Sequence, residues 1–245
     1  MRYALLITGQ PRTMEFCFPS LKKHILDVYH PDVFVVSDEQ EERLKELFNP
    51  IRIDVRSQEA INAEVAELRI KYTNTPGDGL AAKDLSCTWK LWRANRMKRE
   101  IEVQSGFRYA TVMITRFDVK FLSVPPIGKA AENRIHVPLV GAYWITPPDQ
   151  PGIHWHGYST HLCWMSSTVA DGIAGIYFEG PDNFKIASQV ANWGYIPEHV
   201  LKNFCDRNGI RAQFVDIQMM LIRGTAEAPL SFHCQPLSEY PEFLR

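Results

Sequence analysis

Hydrophobic residues in the first half of the chain fall in short runs that alternate with amphipathic segments. Tyr3–Thr8 and Val33–Val36 are apolar runs of strand length. Pro19–Tyr29 and Glu39–Phe48 follow them and carry apolar residues at helical spacing. Strands that alternate with helices are joined by right-handed crossovers. The pattern therefore predicts an α/β fold with a mainly parallel central sheet flanked by helices.

Further elements of both kinds follow along the chain. The sequence predicts, in order, a half-buried strand over 51–55, a helix capped by Ser57 that runs to about Ile70, a turn over Thr73–Asp78, a long helix from Asp84 or Ser86 to about Gln104, and a strand over Tyr109–Thr115. In the last third, it predicts a helix that begins at Pro197 and ends at Gly209, and a strand over Ala212–Leu221.

Three of the predicted strands end in polar residues that can hold a ligand. Gln10 and Arg12 follow the first strand, and Asp38 follows the second. Arg116 and Asp118 follow the strand that ends at residue 115. Ligands of open parallel sheets bind at the carboxyl ends of the strands. The spacing therefore predicts that these side chains converge on one site.

The turn Gly9-Gln10-Pro11-Arg12 has features that suit a nucleotide. Glycine permits close approach of a ligand to the backbone, and Arg12 can pair with a phosphate or stack on a base. An ordinary strand-to-helix turn is the alternative interpretation. The sequence contains neither GxGxxG nor GxxxxGK[ST], which excludes the dinucleotide fingerprint and the P-loop nucleoside triphosphatases.

The segment Arg116-Phe117-Asp118 points to phosphate chemistry. Asp118 can bind a hard divalent cation through its carboxylate oxygens, and Arg116 can donate charge-assisted hydrogen bonds to phosphates. Mg²⁺ or Mn²⁺ at this position would neutralise the charge of a leaving nucleoside diphosphate. The alternative interpretation is a surface ion pair between the two side chains.

The second half of the chain has a stretch with few charged residues and many tryptophan, tyrosine and histidine residues. Between Arg134 and Asp171 the one charged residue is Asp149, and the stretch contains Trp144, Trp155, Trp164, Tyr143 and Tyr158 together with His136, His154, His156 and His161. Aromatic faces with neutral hydrogen-bonding neighbours suit a polyhydroxylated ligand, whereas aromatic residues also fill ordinary cores. The histidines have three interpretations, as zinc ligands, as substrate-binding or general-base groups, or as structural residues.

Composition narrows the possible classes of function. The chain has 245 residues, of which 45% are hydrophobic and 22% charged, as is typical of a globular protein with one or two domains. Its net charge of -1 argues against a nucleic-acid binder. The absence of a long apolar run predicts no transmembrane segment. A short apolar N-terminus and five scattered cysteines without a CxxC pair predict a cytoplasmic protein with free thiols.

Five short motifs occur in a fixed order along the chain. They are Leu6–Thr13 with its Gly-Gln-Pro-Arg-Thr, Asp32–Val35, Trp89–Glu100, Tyr109–Asp118 with its terminal Thr-Arg-Phe-Asp, and Ile196–Leu201 with its Pro-Glu. Together they resemble the SGQPRT, TRxD and PExxL pattern of a family of small glycosyltransferase-like proteins, which are encoded in bacterial surface-polysaccharide clusters and in some large viruses. The resemblance covers most of the chain.

The resemblance implies the GT-A class, a nucleotide-binding α/β domain merged with an acceptor-binding half. Residues 1–245 would form one domain, in which 1–118 bind the nucleotide-sugar and 119–245 bind the acceptor. It implies transfer of a sugar from a nucleoside-diphosphate sugar to a glycan acceptor, usually with Mn²⁺ or Mg²⁺. The class has an Asp-x-Asp motif for metal and ribose. Arg116 stands at the first position here, so metal binding would depend on Asp118 and a distant ligand such as His233.

The resemblance and the strand-end residues together give expected roles. Gly9, Gln10, Pro11 and Arg12 would line the base and ribose pocket, Asp38 would accept a hydrogen bond from the base or ribose, and Arg116 would hold the diphosphate. His156, Asp149 or Asp171 would act as the base if the reaction inverts. Two other functions stay open, a nucleotidyltransferase acting on sugar phosphates and a non-catalytic sugar-binding module.

Overall fold

The protein is described by a computed structural model that covers residues 1–66, 78–138, 161–175, 197–215, 217–225 and 228–233. The strands are β1 (Tyr3–Thr8), β2 (Asp32–Ser37), β3 (Arg52–Val55), β4 (Thr111–Arg116), β5 (Val119–Phe121), β6 (Arg134–Pro138), β7 (Leu162–Met165), β8 (Arg211–Val215), β9 (Met219–Thr225) and β10 (Ala228–His233). The α-helices are α1 (Met14–Leu21), α2 (Asp27–Tyr29), α3 (Glu41–Phe48), α4 (Gln58–Glu64), α5 (Asp78–Ser105), α6 (Ser167–Ala174) and α7 (Pro197–Arg207), with a π-helical segment, Lys22–Leu26, between α1 and α2.

Seven strands form the central sheet, in the order β3-β2-β1-β4-β7-β6-β8. The pairs β1–β2, β1–β4, β2–β3 and β6–β8 are parallel, while β7 runs antiparallel to both of its neighbours. The predicted α/β fold with a mainly parallel sheet is therefore confirmed. In register, Thr8 of β1 lies opposite Val36 of β2 and Arg116 of β4, so these strands end at the same edge.

A second sheet of three strands, in the order β10-β9-β5, continues from the end of β4. The single strand predicted over Ala212–Leu221 is wrong, because β8 pairs in the central sheet and β9 pairs in the smaller one. Between them Ile217 is buried, and the carbonyl of Gln218 accepts a hydrogen bond of 2.9 Å from the Leu122 amide. These contacts bring the chain from the central sheet to the smaller one.

The helices agree with the predictions in kind and differ at their ends. Ser57 caps α4 as expected, since its hydroxyl accepts a hydrogen bond of 3.2 Å from the Ala60 amide. The first helix begins at Met14 although Pro19 lies inside it, and it continues into the π-helical segment. Helix α5 begins at Asp78, before the predicted start, and the rest of the turn predicted over Thr73–Asp78 lies outside the described residues.

Alternate residues of the central strands fill two cores, one on each face of the sheet. Leu6, Phe34 and Val112 pack toward Trp89 of α5. The intervening residues of the same strands pack toward α1 and α3. Each large apolar side chain contributes about 1.5–3 kcal/mol on burial, so both faces hold the sheet between its helices. Trp164 is 1% exposed and stacks on His136 with 5.1 Å between ring centroids, so it belongs to a core.

The thiols of Cys17, Cys163 and Cys205 are buried and free. Burial raises the pKa of Cys17 and of Cys205 to about 12, so these thiols stay protonated and unreactive at neutral pH. Within the described ranges, none of the helices has the length and apolarity needed to cross a bilayer.

Gly9 shapes the turn that follows β1. Its φ of +126° lies in a region that L-residues rarely adopt, and nothing lies within 4 Å of the position a Cβ would take. Its amide donates to the Val36 carbonyl, and its carbonyl accepts a hydrogen bond from the Ser37 hydroxyl. The requirement for glycine is therefore one of backbone conformation and not of space.

Gly9→Ala should lower the free energy of unfolding by about 1–3 kcal/mol, because alanine must hold a strained φ. Gly128→Ala is the matched control, since Gly128 also has open space around it and has no positive φ. We expect the control to change stability by less than about 0.5 kcal/mol. Urea unfolding of the three proteins measures both effects, and equal losses in the two variants would contradict the conformational explanation.

Candidate active site

The carboxyl ends of β1, β2 and β4 bring the predicted ligand-binding residues to one edge of the central sheet. The turn after β1 exposes Gln10 and Arg12 and buries Pro11. It is anchored by Thr13, which is 2% exposed and whose hydroxyl donates to the Ile222 carbonyl at 3.1 Å. In register, Thr8 lies opposite Val36 and Arg116, so the three strand ends are neighbours, and we call this edge the carboxyl edge.

Asp38 leaves the end of β2 toward helix α5 and pairs with Lys90 there. Its Oδ2 accepts from the Lys90 Nζ at 3.0 Å, and the two side chains are 6% and 4% exposed. Among the described residues, its Oδ1 is buried without a hydrogen-bond partner. A buried acceptor without a donor is costly, so this oxygen is a place where a ligand N–H or O–H would be bound favourably.

Arg116 and Asp118 form a two-point ion pair at the end of β4. The Arg116 Nε donates to Asp118 Oδ1 at 2.9 Å, and its Nη2 donates to Oδ2 at 2.7 Å. The Arg116 side chain is 32% exposed and that of Asp118 is 14% exposed. The Asp118 carbonyl also accepts from the Ile222 amide at 2.8 Å, which fixes this segment where the two sheets meet. The pair expected as an alternative thus exists, and it lies at the carboxyl edge.

A further ionic cluster extends the carboxyl edge toward β3. Asp54 accepts hydrogen bonds from Arg93 at 2.5 Å and from Arg56 at 2.9 Å. Burial raises the pKa of Asp54, but the hydrogen bonds from Arg93 and Arg56 outweigh burial and leave it below its ordinary value. The Arg56 guanidinium also lies over the Trp89 ring, 5.3 Å from its centroid. Asp54 is therefore ionised and holds both arginines in place.

Lys90 and the Asp54 cluster were not among the residues predicted from sequence. Lys90 had an available signal, since it lies four and seven residues before Ala94 and Met97, which are buried on the same side of α5. A cation on the apolar face of a helix needs a buried partner. Asp54 had no such signal, because its partners are Arg93 on a distant helix and Arg56, which directly follows its strand.

The residues at the carboxyl edge do not fit a divalent cation. Mg²⁺ and Mn²⁺ take several oxygen ligands, whereas both Asp118 oxygens already accept hydrogen bonds from a guanidinium. No group of three metal-ligating side chains occurs in the described part of the chain. The backbone of His233 lies across the smaller sheet, opposite Met220, which in turn lies opposite Lys120. The expected metal site at Asp118 and His233 stays a prediction that this geometry does not favour.

Of the three candidate bases, Asp171 is the one within the described residues. His156 and Asp149 lie outside the described residues. Asp171 lies on α6, which follows β7, and Met165 at the end of β7 is opposite Val112 near the start of β4. Asp171 is therefore at the opposite edge of the sheet from Arg116. A surface cavity of about 600 Å³ lies there too, lined in part by Trp92 and Asp171.

Asp171 is held in an ionic cluster that joins α5 to α6. Its Oδ1 accepts from Lys98 at 2.9 Å and from Asn95 at 3.0 Å, and its Oδ2 accepts from Arg108 at 2.8 Å. The Lys98 side chain is fully buried and also contacts Glu102. Burial raises the pKa of Asp171, but the charge of Lys98 and the hydrogen bonds outweigh burial and keep it below the ordinary value. An ionised, fully paired carboxylate suits a structural role.

His161, in the stretch that is rich in histidine, lies near the end of β4. It directly precedes β7, whose first residue, Leu162, lies opposite Thr115 of β4. The Thr115 hydroxyl donates to the His161 carbonyl at 2.8 Å, and His161 is 5% exposed. Its backbone is therefore beside the end of β4, next to Arg116.

Comparisons with known proteins find a similar fold among solved structures. In these comparisons, no family model and no curated sequence matches the chain. Among solved structures, the crystal structure of mouse xyloside xylosyltransferase 1 in its apo form is similar. It is 11% identical, with a TM-score of 0.50, and the alignment covers 88% of this chain and 86% of that one. At this identity the likeness shows the fold, and the GT-A-like fold expected from the sequence is confirmed.

Asp171→Asn should lower the free energy of unfolding by about 1.5–3 kcal/mol, because it removes charge-assisted hydrogen bonds from the buried Lys98. Asp27→Asn is the control, since Asp27 pairs with Lys22 at the exposed surface and should cost less than about 1 kcal/mol. The folded pKa of Asp171 is lowered, so its stabilisation is present above the ordinary value of 3.8 and is lost as the pH falls through the folded pKa.

Denaturant unfolding at several pH values tests this role. The stability difference between wild type and Asp171→Asn should be constant near neutral pH and should shrink in acid. Unchanged stability together with a large loss of turnover would contradict the structural role and would favour a catalytic one.

Proposed function

We propose that the protein is a glycosyltransferase that moves a sugar from a nucleoside-diphosphate sugar to a glycan acceptor. The observation that carries this proposal is the clustering of a glycine turn, a buried acceptor oxygen on Asp38 and a guanidinium on Arg116 at one edge of a GT-A-like sheet. The glycine turn admits a ligand close to the protein backbone. The Asp38 oxygen can accept a hydrogen bond from the base or ribose, and Arg116 can donate hydrogen bonds to the diphosphate. The fold neighbour supports the same class and no particular sugar.

Each part of the donor has a candidate partner at the carboxyl edge. The exposed side chains of Gln10 and Arg12 in the turn after β1 are available to the base and ribose. Asp38 Oδ1 is a hydrogen-bond acceptor next to the same turn, because Ser37 hydrogen-bonds to Gly9. Arg116 pairs in register with the last residue of β1, so its backbone lies beside the start of the turn. One extended ligand can therefore contact all three loops.

The reaction needs positive charge beside the donor bond that breaks. The bond between the anomeric carbon and the β-phosphate oxygen breaks, and its electron pair stays on that oxygen. The acceptor oxygen forms the new bond to the anomeric carbon and gives up its proton to a base. Preorganised cations beside the β-phosphate lower the barrier because charge grows there in the transition state. Arg116, at the end of β4 and about one-third exposed, is our candidate for this role.

The acceptor and the base are assigned to the second half of the chain. His156 and Asp149 are the candidate bases, because Asp171 is paired at the opposite edge. We also propose kinship with the polysaccharide-cluster family, since the Gly-Gln-Pro-Arg turn and the Thr-Arg-Phe-Asp strand end that resemble it meet at one edge. A glycan acceptor follows from that kinship.

A ligand and donor screen tests the proposal. Thermal unfolding is measured with uridine, guanosine and thymidine diphosphates, each with EDTA and with Mn²⁺, and hydrolysis of the corresponding diphospho-sugars is measured in parallel. We expect one diphosphate to stabilise the protein by about 2.7 kcal/mol at a hundredfold excess over its Kd. We expect slow hydrolysis of the diphospho-sugar that carries the same base.

Two results would contradict the transferase. Stabilisation by glycans with no response to any diphosphate would indicate a sugar-binding module. Turnover of nucleoside triphosphates with sugar phosphates would indicate a nucleotidyltransferase.

A further inference from the structure

We infer that the donor diphosphate is bound by the Arg116 guanidinium itself, held in position by Asp118, and that this binding needs no divalent cation. The inference rests on the proposed function and concerns the same site. Under it, Asp118 is a positioning residue and Arg116 is the residue that touches the phosphates.

The geometry of the pair carries the inference. The two hydrogen bonds of 2.9 Å and 2.7 Å run from two different nitrogens of the guanidinium to the two oxygens of one carboxylate. An arginine carries five N–H donors in a planar fork, so one guanidinium can hold a carboxylate and an anion together. The carboxylate is the more buried of the two groups, at 14% against 32% exposure, so the cation is the group presented to solvent.

The same geometry opposes a metal at Asp118. A divalent ion there would compete with a guanidinium for both carboxylate oxygens, and it would lie beside a like charge. Arginine remains charged at every accessible pH, so the repulsion cannot be relieved by loss of a proton. The described residues also offer no group of three metal-ligating side chains. The Arg116 guanidinium thus lies where a divalent cation would otherwise contact Asp118.

Arg116 has the chemistry and the position for a diphosphate. Its planar fork of donors matches two phosphate oxygens at once, which a lysine cannot do. The ion pair with Asp118 fixes the guanidinium before the ligand arrives, so less side-chain freedom is lost on binding. Arg116 also lies in register with Thr8, directly before the Gly9 turn, which admits a ligand close to the backbone.

The cleanest experiment is calorimetric titration of uridine, guanosine and thymidine diphosphates into the full chain, in EDTA and separately in Mn²⁺. Wild type should bind one of them with the same Kd in both buffers. Arg116→Gln should weaken that binding about 10- to 100-fold, the loss expected for hydrogen bonds to a charged group. Arg116→Lys should retain part of the affinity, because it keeps the charge and loses the fork.

Two further variants separate positioning from metal ligation and from general charge effects. Asp118→Asn keeps an oxygen that can accept from Arg116, so it should weaken binding less than Arg116→Gln and should do so equally in EDTA and Mn²⁺. Arg52→Gln is the charge-matched control, because Arg52 is exposed on β3, the outermost strand and three strands away from β4, and should bind as wild type does. Thermal unfolding of every variant confirms that it is folded before titration.

The outcomes distinguish this inference from the proposed function. Equal binding in both buffers with loss in Arg116→Gln supports the inference. Binding that requires Mn²⁺ and is abolished in Asp118→Asn overturns it and leaves the transferase standing. Failure of every diphosphate in both buffers overturns the inference together with the proposed function. Unchanged affinity in a folded Arg116→Gln overturns the inference alone.

Discussion

The parallel register that places β1 between β2 and β4 determines where the Gly9 turn, Asp38 and Arg116 leave the sheet. Because Thr8 is opposite both Val36 and Arg116, the three strands end together and their loops must share one edge. Apolar side chains on both faces of these strands hold that register, since a shift by one residue would exchange the two cores. Core packing therefore fixes the position of the carboxyl edge. The positive φ of Gly9 then shapes the turn that follows β1 at this edge.

Charge is arranged differently at the two edges of the sheet. At the amino edge, the buried Lys98 and the carboxylates of Glu102 and Asp171 tie α5 to α6. At the carboxyl edge, Asp38 keeps one buried oxygen without a hydrogen-bond partner in the described part of the chain, and Arg116 remains one-third exposed. At the amino edge, Glu102 Oε2 is likewise buried without a hydrogen-bond partner among the described residues, so an acceptor of this kind is not particular to the carboxyl edge. The carboxyl edge is distinguished by the strand ends that meet there, which is where open α/β sheets bind ligands.

Local patterns were sufficient to predict the strands and helices of the first half of the chain, whereas β5, β6, β7 and α6 were not predicted. The strands ending before Gly9, Asp38 and Arg116 were predicted in this way, as was the cap at Ser57. The division of Ala212–Leu221 between two sheets was not predictable, since its apolar positions continue across the break and only the pairing partners differ. The pairing of Asp171 with Lys98 was also not predictable, because the sequence alone does not show whether a carboxylate contacts a substrate or a buried lysine.

The most direct test of the account is a crystal structure of the protein with a bound nucleoside diphosphate. The account predicts phosphate oxygens at about 3 Å from the Arg116 guanidinium, beside the Gly9 turn, with the ion pair to Asp118 intact. Phosphates bound at the cavity near Trp92 and Asp171, or a metal ion on Asp118 with Arg116 displaced from it, would contradict the account.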